Sequence, residues 1–258
     1  MAKIQLPAEF KGFSEKFDAL AYGQDDSKVF DDMLTFIIDL FSFDNPWKPN
    51  GHYAKIENLR ERFFGLFQEI VLLMNAKIRN PKDWYDPFGN LYEMQIASKG
   101  RLANAGQFFT PENVVDLMDD ILYAGEDMTG KGLRFSDPTC GSGQNLIAMH
   151  AKHPGNYCCG EDIDRTCALM TVCNFILHGV NGEVIWHDSL MPTKDHFYGA
   201  WRVRPRPDLL GIPEVSKMEW EDTLCYAVWE SRRIKADPAK TSESPAAEAP
   251  QIVQLNLF

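Results

Sequence analysis

The stretch LRFSDPTCGSGQNLIAMHAKH, residues 133–153, decides the fold, because it changes character twice within a short span. LRFSDPTC is a short, partly apolar run that closes on an acid and reads as a strand. Gly141 and Gly143 then mark a tight turn, and SGQNLIAMHAKH places Leu146, Ile147 and Met149 at helical spacing. The grammar repeats downstream: NYCCGEDID reads as a second strand, TCALMTVCNFILHGV as a helix and GEVIWHDSL as a third strand. Short apolar runs ending in acid or glycine, alternating with helical stretches, are the mark of βαβ units. Between about Phe135 and Leu190 the chain therefore predicts three parallel strands with crossover helices, one half of a doubly wound sheet.

Upstream, the chain reads as a helical domain, residues 1–105. Apolar residues recur at three and four in KVFDDMLTFIIDLF and in YAKIENLRERFFGLFQEIVLLMNAKI, where Ile56, Leu59, Phe63, Phe67 and Ile70 line one face. Pro46, Pro49 and Gly51 punctuate the first pair of helices, and Asn80-Pro81 ends the long one. Downstream of Leu190 only TLCYAVW reads as a further strand. About forty residues is too short a run for the rest of a complete sheet, and the bare edge beside the central strand calls for a cover: TLCYAVW, a second copy of the chain, or a partner. The sheet domain is placed at residues 106–234. Residues 235–250, KADPAKTSESPAAEAP, carry almost no large apolar side chain and read as a disordered tether. Apolar residues return in QIVQLNLF, residues 251–258.

Glycines at positions 141 and 143 let a ligand approach the backbone, and the helix starting near Gln144 aims free N–H groups into that space. Asp137, Asp162 and Asp188 fall where three parallel strands end, the edge at which doubly wound folds bind ligands. A carboxylate after the second strand can accept both hydroxyls of a ribose; one after the third can accept from an exocyclic adenine amine. A glycine turn alone is common, but the three strand ends together favour an adenosyl ligand. An NAD-type dehydrogenase fits less well, since the turn is DPTCGSG and not GxGxxG.

The order DPFGNLYE (86–93), GQFFTP (106–111), DPTCGSG (137–143), GEDID and HDSL resembles the modification subunit of type I restriction-modification systems and related adenine-N6 DNA methyltransferases. The resemblance spans about Asp86 to Leu190. It implies a partial, Rossmann-like class I methyltransferase sheet, α/β in class, preceded by the helical domain, and S-adenosylmethionine as cofactor. By that similarity Gln107, Phe108, Thr110 and Pro111 close over the methionine end, Asp137, Gly141 and Gly143 cradle the methionine and ribose side, Asp162 binds ribose and Asp188 binds adenine. The family also carries Asn or Asp followed by two prolines and an aromatic, which holds the flipped adenine. No such tetrapeptide occurs here: NPWK at Asn45 and DPFG at Asp86 precede the glycine turn, and RPRPD, residues 204–208, offers no acceptor followed by an aromatic. No catalytic residue is assigned.

QLNLF, Gln254 to Phe258, resembles the bacterial sliding-clamp binding peptide, with Gln254 at a pocket rim and Leu255, Leu257 and Phe258 as anchors. The rival is a strand or hook that docks on the chain's own core. As a leash, the tether would reach roughly 20–25 Å.

Net charge bears on the partner. A formal charge of −11 supplies little of the Lys and Arg that gives nonspecific DNA affinity, so DNA is expected to be met through a clamp or partner subunit. The one basic cluster, Arg202, Arg204 and Arg206, reads as a solvated loop, with a phosphate contact as the alternative. Cys140, Cys158, Cys159, Cys167, Cys173 and Cys225 show no CxxC pair or Cys/His ligand spacing, so the sequence indicates neither zinc nor disulfides and fits a cytoplasmic compartment. No apolar run approaches the ~20 residues that span a bilayer. The expected function is an S-adenosylmethionine-binding protein of the adenine-N6 methyltransferase family acting on or at DNA. The alternative is a noncatalytic phage or mobile-element maintenance or antirestriction factor that docks on the clamp.

Overall fold

The computed structural model describes residues 7–43, 58–96, 110–123, 125–236 and 252–254. Three helices open the chain: α1 (Lys11–Ala21), α2 (Asp26–Leu40) and α3 (Leu59–Lys77). Asp25 caps α2 by accepting from Ser27 N at 3.0 Å, and α3 stops just short of Asn80-Pro81, as expected. Leu59, Phe63 and Ile70 are buried along one face of α3 and Phe67 is partly buried. Ile56, Pro46, Pro49 and Gly51 lie outside the described residues. A short α4 (Pro87–Leu91) and α5 (Glu112–Tyr123) lead into the sheet.

The βαβ reading holds to within a few residues: β1 (Arg134–Asp137), α6 (Gln144–Lys152), β2 (Tyr157–Asp162), α7 (Arg165–His178) and β3 (Gly182–His187). Pairing of β1 with β2 and of β2 with β3 is parallel. Asp164 caps α7 through Thr166 N and Cys167 N, and Gly179 closes it at φ +65°. Cys167 through Ile176 are all buried. A helix apolar on every side must be covered on every side, and α2 packs on its far face, with Arg165 and Thr166 both bonded to Asp31. One apolar cluster accordingly runs from Phe10, just before α1, through Phe135 and Phe175 to Val203 and Val215.

Three expectations about the second half of the sheet are corrected. TLCYAVW is not a strand; Leu224 opens α8 (Leu224–Ala236), which takes in the first two residues of the expected tether. The strands that follow β3 are β4 (Phe197–Arg206) and β5 (Ile212–Met218), an antiparallel pair. The arginine cluster is therefore in a strand and not a loop, and Arg204 and Arg206 are both paired to Glu214 at 2.9 Å. Pro205 stands opposite Pro213 one rung from the end of the pair and beyond the reach of β3, where prolines are tolerated because no third strand needs a donor. Finally, the edge of β1 is covered by the chain's own β6 (Ile252–Gln254), parallel, with Ser136 opposite Gln254. Strand order is β5-β4-β3-β2-β1-β6. Residues 237–251 and 255–258 lie outside the described residues, so most of the expected tether and Leu255, Leu257 and Phe258 have no structural account. No helix among the described residues is long and apolar enough to cross a membrane.

Candidate functional site

Because β1, β2 and β3 are parallel, their carboxyl ends share one edge, and Asp137, Asp162 and Asp188 stand at or just past those ends. The loop from β1 to α6 is knitted to the first two. Asp137, buried, accepts from Thr139 N at 3.1 Å and from Asn145 Nδ2 at 3.0 Å, which ties the strand to the first turn of α6. Asp162 accepts from Gly141 N at 2.9 Å on one oxygen and from Asp164 N at 2.8 Å on the other. Burial lifts the Asp162 carboxyl to about 6 despite those two N–H groups, and burial also raises Asp137. Each carboxylate oxygen keeps a lone pair beyond these bonds. Asp188 differs: half-buried, it accepts from Leu190 N at 3.0 Å in a local turn. Two exposed apolar side chains, Ile163 (62%) and Leu190 (90%), flank the second and third acids and leave apolar surface available to a ring.

Gly141 and Gly143 adopt φ +56° and +82°, which glycine takes at no steric cost. At Gly143 the reason for the missing side chain is internal. A Cβ there would sit 2.7 Å from Cγ2 of Thr171 on α7, so the crossover helix fills the space that the sequence reading reserved for ligand. Thr171 Oγ1 donates to Gly141 O at 2.9 Å and fastens the same turn.

The residue that sequence reasoning left without a role is Asp86. It caps α4 through Gly89 N at 2.8 Å and is buried. Its carboxylate also accepts from Ser142 Oγ in the glycine loop and from Asn174 Nδ2 of α7 at 2.7 Å, while Asn174 Nδ2 donates to Ser142 O at 2.8 Å. Burial raises the Asp86 carboxyl. The helical region thus anchors the loop from behind. The available signal was Asp86-Pro87, an N-cap acid followed by proline in the first turn, though nothing in it names the distant partners.

Of the remaining predicted residues, Gln107 and Phe108 lie outside the described residues. Thr110 and Pro111 lead into α5, whose first turn bonds to Pro111 O through Val114 N and Val115 N. Gln254 closes β6.

Comparison with known proteins finds similarity to DNA methylases over part of the chain. Residues 83–204 match the family model described as N-6 DNA Methylase. Two Methanocaldococcus jannaschii proteins are similar. The type I restriction enzyme MjaVIII methylase subunit is 30% identical over 117 residues, 43% of this chain and 19% of that protein. The MjaVII methylase subunit is 28% identical over 124 residues, 46% of this chain and 20% of that protein. The match thus spans about a fifth of either relative's length. A solved type I restriction-modification methyltransferase subunit from Streptococcus thermophilus aligns at 23% identity over 65% of this chain and 37% of its own, with a TM-score of 0.30.

Proposed function

We propose, from the premise that residues 83–204 form an adenine-N6-methyltransferase-like segment, that this chain binds S-adenosylmethionine at the carboxyl edge of β1–β3 and acts at DNA without itself holding the target adenine. The observation that carries the reading is the pair of acids fused to the glycine turn, the buried Asp137 through Asn145 and the half-buried Asp162 through Gly141. The residues fit such a cofactor. The edge is acidic, which suits a sulfonium and an ammonium group; Asp162 retains acceptor capacity for hydroxyls; and Asn145 Oδ1 is buried with no partner among the described residues, an acceptor that an added donor would satisfy. When bound, the cofactor supplies an electrophilic methyl group. The chain's own share is orientation: Asp162 to fix the ribose, Asp188 to take the adenine amine, and Thr110 and Pro111 to close over the methionine end.

Target handling is the missing half. No acceptor-Pro-Pro-aromatic segment occurs, and the strand following β3 runs antiparallel to it. The chain alone therefore leaves DNA unmethylated, and a partner chain supplies the base-holding half or methylation has been given up in favour of DNA maintenance. Recruitment falls to QLNLF on a sliding clamp, because a chain of net charge −11 gains little from phosphates. Gln254 belongs both to β6 and to that peptide, so clamp docking competes with the last rung of the β1–β6 pair.

The test is a thermal-shift titration with S-adenosylmethionine and its demethylated product, followed by mass spectrometry of DNA nucleosides. A rise in Tm with either ligand and no N6-methyladenine from the chain alone is the expected pair of results. No shift at millimolar ligand overturns the cofactor reading; robust N6-methyladenine overturns the claim about the base.

A further inference from the structure

The face of the sheet turned away from α7 holds a cluster that the cofactor edge does not use. Along β2 and β3, Cys159, Glu161, Ile185 and His187 point to this face, and α8 lies against it. Thr223 caps α8, with Tyr226 N donating to Thr223 Oγ1 at 3.1 Å, and the buried Glu183 accepts from Leu224 N. This docking brings Cys225 over Glu161 and His187, so that one ligand atom from each lies within 4.8 Å of the other two. His187 is fully buried, with Nε2 2.7 Å from Glu161 Oε2, and its Nδ1 has no hydrogen-bond partner among the described residues. Glu161 and Cys225 line a cavity of about 240 Å³ shared with Ser136, Cys159 and Arg232.

We propose that Glu161, His187 and Cys225 form a divalent metal site that takes zinc. Thiolate and imidazole together select zinc over magnesium or calcium, which prefer all-oxygen shells. Zinc–ligand bonds of about 2.0–2.3 Å place tetrahedral ligand atoms about 3.4–3.8 Å apart, so no pair closes by more than about 1.4 Å and the Glu161–His187 pair, at 2.7 Å, opens by about 0.7 Å. On binding, the ion takes the place of the proton between His187 Nε2 and Glu161 Oε2, and that proton moves to Nδ1, so the ring stays neutral; the Cys225 thiol proton leaves to solvent and no electron moves. Three protein ligands leave a fourth position, and the cavity gives room for a water there. The ion fastens α8 to β2 and β3, joining a helix otherwise held by its first turn. The ligands stand on three separate elements, which is why no CxxC-type spacing announces them.

The experiment uses the full chain, stripped with chelator under reducing conditions and without S-adenosylmethionine, so that its outcome is independent of the cofactor reading. Cobalt(II) and zinc are titrated in competition with a chromophoric chelator. The expected result is one ion per chain, a thiolate-to-cobalt charge-transfer band displaced by zinc, no effect of magnesium, and a higher wild-type Tm with zinc. Cys225→Ser abolishes the band and weakens zinc binding at least about a hundredfold, the upper end of what loss of an outer-shell partner costs. Cys173→Ala, altered on the apolar side of the fold, keeps both. Absence of the band, of stoichiometric zinc and of the Tm rise in the wild-type chain overturns the site and leaves a metal-free Glu–His–Cys hydrogen-bonded cluster. A band that survives Cys225→Ser also overturns it.

Discussion

On one face of the sheet Phe135, Cys158, Val184 and Val203 look into an apolar layer shared with α7 and the N-terminal helices; on the other, Ser136, Cys159, Glu161 and Glu183 look toward α8 across a cavity. Both faces come from the same strands, because successive side chains alternate. The first face is close-packed and fixes where the strand ends lie. The second keeps the buried Glu183 and the half-buried Glu161, whose lost hydration is replaced in part by Tyr157, Leu224 and His187 as partners. Rigidity and chemistry are thereby separated: the apolar side positions Asp137 and Asp162, and the polar side holds groups that packing alone does not require.

That contrast is open to measurement. Phe175→Ala, on the closed face, is expected to cost about 3–5 kcal/mol in denaturant unfolding, as full burial of a large ring implies. Gly143→Ala meets both the left-handed backbone and Thr171, and is expected to cost about 2–4 kcal/mol. Cofactor binding is expected to weaken about tenfold between pH 7.5 and pH 5. The Asp162 carboxyl, raised to about 6, is ionised above that value and protonated below it, and only the carboxylate accepts both ribose hydroxyls. Calorimetry at the two pH values checks the sign; binding that strengthens on acidification would detach Asp162 from the site. Least affected is Cys159→Ala on the cavity face, about 1 kcal/mol or less, because the small side chain already borders open space. A cost there equal to that of Phe175→Ala would erase the distinction between the faces.

The parallel half of the sheet was legible because an acid stands at or just past the end of each strand and the crossover helix α7 carries its own caps, Asp164 and Gly179. Local signals suffice for local elements. The antiparallel half was not: Pro205 and Pro207 with three arginines disguise β4, and Glu214 meets Arg204 and Arg206 only once β5 folds back. TLCYAVW is a continuous apolar run that a strand or a helix can equally carry, and Leu224, Cys225, Val228 and Trp229 reach the cavity together from successive turns of a helix. In the site, the acids and the glycine turn could be read from the sequence. The Asp86 anchor could not, since its partners Ser142 and Asn174 lie 56 and 88 residues away. The same distance effect hid Glu161, His187 and Cys225, whose meeting depends on how α8 docks.

The measurement that bears most directly on the central claim is isothermal calorimetry of S-adenosylmethionine and its demethylated product at neutral pH, on the wild-type chain and on Asp162→Ala. Saturable binding of at least one ligand, lost in Asp162→Ala while its far-ultraviolet circular dichroism stays that of the wild type, is the predicted result. Heat that is absent in the wild type, or unchanged in the folded variant, would contradict the assignment of this strand edge to the cofactor.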